Sequence, residues 1–97
     1  MTERLHARLC AAILDLVGPA RLSAARVRPW ASITFCGARH WLCLQVPRDR
    51  VAQVTLALTE SELALAGHFV ADLAITQRVD GPEDCTLSIE VLTVAEG

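Results

Sequence analysis

Three histidines (His6, His40, His68), four cysteines and eleven carboxylates are the groups of this 97-residue chain that could do chemistry. Their company is restricted, because the chain has no Lys, no Asn and no Tyr. A Schiff base, a phosphate-loop lysine, a Ser–Lys pair and a phenolic acid are all excluded. Nucleophilic catalysis needs a Cys or Ser beside a His that a carboxylate orients. His68 stands four residues before Asp72, but on a strand four residues span about 13 Å. Asp72, between Ala71 and Leu73, is a carboxylate in apolar company. Its expected partner is Arg39, Arg78 or His68. Zinc calls for a tight local pair such as Cys-x-x-Cys or His-x-x-x-His. The chain has neither, so no metal and no cofactor is expected, and the cysteines read as buried thiols.

Charge is sorted by half. Residues 1–50 carry eight Arg against three acids, a balance of +5, and residues 51–97 carry one Arg against eight acids, a balance of −7. A fold that keeps the halves apart has a cationic and an anionic side, able to capture an anion or steer self-association. Six arginines near Trp30 and Trp41 raise nucleic acid as a ligand. The net charge of −2, the pI near 5.8 and the acidic second half argue against it.

The length suits one domain spanning 1–97. An apolar content of 53% exceeds what a small core needs, which favours burial against a second copy. Lys, Asn and Tyr all use A/T-rich codons, so their absence points to a GC-rich bacterial genome. No signal sequence is visible and no apolar run reaches the roughly 18 residues of a membrane span. The expected setting is the cytoplasm, without membrane contact and with reduced thiols.

These groups must be positioned by the elements that the periodicity predicts. Leu5, Leu9, Ala12, Ile13 and Leu16 recur at helical spacing between Thr2 and Val17, and Gly18-Pro19 stops the helix. Ala20–Arg28 reads as an irregular or short helical connection. Trp30–Val46 reads as a β-hairpin turning at Gly37-Ala38, pairing Phe35 with His40, Ile33 with Leu42 and Ala31 with Leu44. Over residues 48–60, Val51, Val54, Thr55 and Leu58 fit a second helix behind Asp49 as its cap, although Val54, Leu56 and Leu58 also fit a strand. Phe69–Val94 reads as a longer hairpin around Asp80–Asp84, pairing Ile75 with Ile89 and Leu73 with Val91. The predicted fold class is α+β: a two-layer α-ββ-α-ββ sandwich, with helices on one face of a four-stranded antiparallel sheet.

Parity then gives the other sheet face. It should hold Trp30, Ser32, Thr34, Trp41, Cys43 and Gln45 from the first hairpin. From the second it should hold Val70, Asp72, Ala74, Thr76, Arg78, Ser88, Glu90 and Leu92. Two Trp among small and polar residues suit partner contact. The functional expectation is a non-catalytic module that forms a homodimer. The alternative is a binder of, or enzyme on, a small anionic molecule, with Arg39, His40 and neighbouring Arg as the anion end. The binding candidates are Trp30, Arg39, His40, Trp41, His68 and Asp72.

Overall fold

A computed structural model describes residues 2–96. Helix α1 (Thr2–Val17) is followed by strands β1 (Arg21–Ala31) and β2 (Cys36–Pro47). A 3-10 turn (Arg48–Arg50) leads into helix α2 (Val51–Glu60), and strands β3 (His68–Asp80) and β4 (Asp84–Ala95) complete the order. The strands form one antiparallel sheet in the order β1-β2-β4-β3. This is the α-ββ-α-ββ arrangement predicted from the sequence. The two halves of the chain therefore lie side by side in the sheet, the Arg-rich half at the β1 edge and the acidic half at the β3 edge.

Strands β2 and β4 form the central pair, and alternate residues of both are buried. Leu42, Leu44, Val46, Leu87, Ile89 and Val91 point to the inner face, where they meet Leu5, Leu9 and Ile13 of α1 and Val51, Val54 and Leu58 of α2. Both helices cover this face, as their apolar stripes require. Gly18 ends α1 in the left-handed region (φ 74), and its N–H donates to the Leu14 carbonyl. Asp49 lies inside the 3-10 turn and does not cap α2, whose N-cap position is Arg50 without a side-chain bond.

The second hairpin has the predicted register: Leu73 pairs with Val91 and Ile75 with Ile89. Bulges at Ala71 and Thr76 change the parity on either side, so Val70 turns inward. By the same shift Gln77 and Val79, not Arg78, share the outer parity with Ser88 and Thr86.

The first hairpin differs from expectation. Ala20–Arg28 is not a connection, since β1 starts at Arg21 and pairs Leu22 with Leu44, Ala25 with Leu42 and Val27 with His40. A bulge at Ser23 and small alanines conceal its alternation, and Pro29 is tolerated because the strand is an edge. The turn is Ser32–Phe35, not Gly37-Ala38. Ser32 N–H donates to the Phe35 carbonyl and Phe35 N–H to the Ser32 hydroxyl. Gly37 lies within β2, where a Cβ would meet the Thr93 carbonyl oxygen at 1.9 Å. It is a site of close backbone approach, not a turn residue. Ile33 and Phe35, expected in the core, are 106% and 57% exposed at the turn.

Leu44→Ala or Ile89→Ala should therefore cost about 2–5 kcal/mol. Ile33→Ala should change stability by less than about 0.5 kcal/mol, as an exposed position does. Urea melts of the three variants check this contrast.

Candidate functional site

On the face away from the helices, the pairings arrange side chains in rows across the sheet. One row is Arg28, Arg39, Leu92 and Asp72; the next is Arg26, Trp41, Glu90 and Ala74. A third holds Ala24, Cys43, Ser88 and Gln77, and a fourth Arg21, Gln45, Thr86 and Val79. Trp30, opposite Gly37, belongs to the same face and lines a hollow with Arg28, Arg39 and Trp41. Trp41 is half-buried, with the Arg26 guanidinium 4.3 Å from its ring centroid. That contact holds the cation over the π-face and fixes the ring.

Arg39 pairs with Glu90, and Arg78 with Asp80. Asp72 therefore does not gain the arginine partner expected of it; it is exposed and makes no ion pair among the described residues. With Arg39 neutralised by Glu90, the charges of the face are Arg21, Arg26 and Arg28 along β1, Asp72 on β3 and Asp84 at the start of β4, near Arg21. The surface ion pairs themselves contribute little, about 0–1 kcal/mol each.

His40 points the opposite way from its neighbour Arg39. It is fully buried on the inner face, beneath His6 of α1. The two Nδ1 atoms are 2.9 Å apart, His40 Nε2 is 2.9 Å from Thr93 Oγ1, and His6 Nε2 is 3.7 Å from Cys10 Sγ. Thr93 Oγ1 donates to the Ala38 carbonyl. One proton order satisfies every member. The Cys10 thiol donates to His6 Nε2, His6 Nδ1–H to His40 Nδ1, and His40 Nε2–H to Thr93. The chain is neutral from end to end and ties α1 to β2 and β4.

Burial drives this neutrality. It pushes the His40 imidazole down to about 4, with His6 and His68 adding to the effect, and it lowers His6 as well. The Cys10 thiol is pushed up by the same desolvation, which suppresses the thiolate a nucleophile needs. His68 sits apart, at the start of β3, where it and Trp30 line a groove of about 720 Å³ at the strand ends. Among the described residues, Trp30 Nε1 and His68 Nδ1 are buried without a hydrogen-bond partner. No three His, Cys, Asp or Glu side chains converge in a metal-binding arrangement among the described residues.

Of the six residues singled out from sequence, Trp30, Arg39, Trp41 and Asp72 share the outer face. His40 is sealed beneath α1 and His68 lies at the sheet end. Arg39 and His40 face opposite sides of one strand, so they do not form a single anion-binding end. The buried chain of Cys10, His6, His40 and Thr93 escapes sequence reasoning, although His6 and Cys10 stand at i, i+4. All four cysteines are free: Cys10 and Cys85 are buried, Cys43 is half-buried, and Cys36, against expectation, is exposed.

Because the unfolded chain takes up a proton at His40 near 6.5 and the folded one only near 4, acid favours unfolding. Stability is full above pH 6.5, falls as pH drops toward 4 by about 2–3 kcal/mol, and levels off below. Urea midpoints across that window check the slope, and His40→Gln should flatten it. Thr93→Val, which strips the His40 Nε2–H of its acceptor, should cost about 1–3 kcal/mol.

Compared with protein-family models, with curated proteins and with solved structures, the chain matches none of them.

Proposed function

We propose that this chain is a non-catalytic, homodimerising protein-interaction module that works from the outer face of its sheet. The observation that carries the reading is the division of the two faces. Both helices cover one, and two of the three imidazoles, His6 and His40, are held there with the Cys10 thiol in a neutral hydrogen-bonded chain. The other face is uncovered and presents Trp41, Trp30 and Leu92 among small and polar residues. Strands of 11–13 residues at about 3.3 Å per residue, set about 4.8 Å apart, give a face of roughly 700 Å². A standard interface takes about 800 Å² per partner, so the face has the size that stable pairing requires.

Composition supports a bacterial cytoplasmic setting: the missing Lys, Asn and Tyr, and free thiols at four cysteines. No helix among the described residues is long and apolar enough to cross a membrane. Charge at this face acts mainly on encounter rate and orientation, and burial of Trp41 on lifetime.

Sedimentation at micromolar concentration should find a dimer, and Trp41→Ala should weaken it by at least about 1 kcal/mol. Raising salt from about 0.1 M to 1 M shortens the screening length from about 10 Å to about 3 Å. Association should slow far more than dissociation quickens. A monomer at low and high salt alike overturns the reading.

A further inference from the structure

Resting on that reading, the row-by-row layout of the outer face points to one symmetry for the pair: we infer that two copies stack outer face on outer face about a two-fold axis running along the strands, with Arg28 of each copy over Asp72 of the other. Closed dimers have few ways to use this sheet. A two-fold axis normal to the sheet would join like edges. That sets β1 against β1, with Arg21, Arg26 and Arg28 facing their own copies, or the acidic β3 against itself. Pairing β1 with β3 of the next copy brings opposite charges together but does not close, because each added copy leaves another free edge.

Face-to-face stacking has two symmetric forms. An axis across the strands lays β1 over β1, again placing three arginines above three arginines. An axis along the strands exchanges the two sides of the sheet, so β1 lies over β3 and β2 over β4. A pure rotation allows no slide along its own axis, so each row then meets its own reversed copy. Arg28, Arg39, Leu92, Asp72 is read against Asp72, Leu92, Arg39, Arg28. Arg28 and Asp72, exposed and without ion pairs among the described residues, become each other's partners twice per dimer. In the next row Trp41 lies over Glu90 of the other copy, and Arg26 over the small Ala74. Of the two face-to-face arrangements, this one sets Arg28 of each copy opposite Asp72 of the other and Arg21 and Arg26 over the uncharged Val79 and Ala74, so no arginine of β1 faces its own copy.

The test is a charge exchange read by dimer affinity. Arg28→Asp and Asp72→Arg should each weaken the wild-type dimer on the order of tenfold or more, since each replaces two attractions with two repulsions. The double exchange should return affinity to within about threefold, because both cross-pairs are restored with reversed sign. Cys36, exposed at one end of the sheet, supplies a second readout when spin-labelled in a Cys43→Ser background. An axis along the strands keeps both labels at the same end, about 25 Å apart or less. An axis across them separates the labels by a strand length, about 40 Å. A double exchange no tighter than the singles, or a long label distance, overturns the axis while a Trp41-dependent dimer keeps the interface itself. A monomeric wild type removes both.

Discussion

Strict alternation along β2 and β4 is the constraint from which the other features follow. Every second residue of these central strands is buried, from Ala38 to Val46 on one and from Cys85 to Thr93 on the other. One face must therefore be covered, and α1 and α2 cover it with Leu5, Leu9, Ile13, Val51, Val54 and Leu58. The same parity sends Arg39, Trp41 and Cys43 to the opposite face. It also forces the one imidazole of β2 into the core, where only a neutral hydrogen-bonded form is tolerable. His6 and Thr93 satisfy both ring nitrogens of His40. The buried chain is thus the cost of placing a histidine at an inward position.

What was legible in the sequence depended on whether the side-chain period ran unbroken. Helix α1 and the pairing of Leu73 with Val91 could be read because apolar residues recur there at clear intervals. The outer-face assignments of Trp41, Asp72 and Glu90 followed from the same parity. Strand β1 was concealed because a bulge at Ser23 interrupts its period and alanines fill positions where larger side chains would have announced a face. Gly37 misled for a physical reason: a glycine that admits a neighbouring backbone looks, in sequence, like a glycine that turns the chain. That single ambiguity moved the turn by several residues and carried Ile33 and Phe35 into an expected core.

The candidate site divides along the same line. Residues that lie near one another in the sheet could be gathered by register. The contact between His6 and His40 could not, because it joins residues 34 positions apart through the docking of a helix on a sheet. The apolar stripe of α1 fixes which side of the helix docks, but not which strand residue each of its side chains meets. Asp72 shows the converse. Its flanking apolar residues suggested a need for an internal partner, but on an exposed edge strand a carboxylate is hydrated and needs none.

The three register shifts of the sheet all lie against an edge strand: one in β1 at Ser23 and two in β3 at Ala71 and Thr76, with none between β2 and β4. Pro29 adds a missing N–H on β1. A basic free edge and an acidic free edge on one small sheet would otherwise be a template for end-on growth, copy after copy, into a fibril. Interrupted hydrogen-bond ladders deny the next chain a continuous row of donors and acceptors. The bulge that concealed β1 in the sequence and the two that interrupt β3 thus leave neither free edge a regular ladder for another chain to extend.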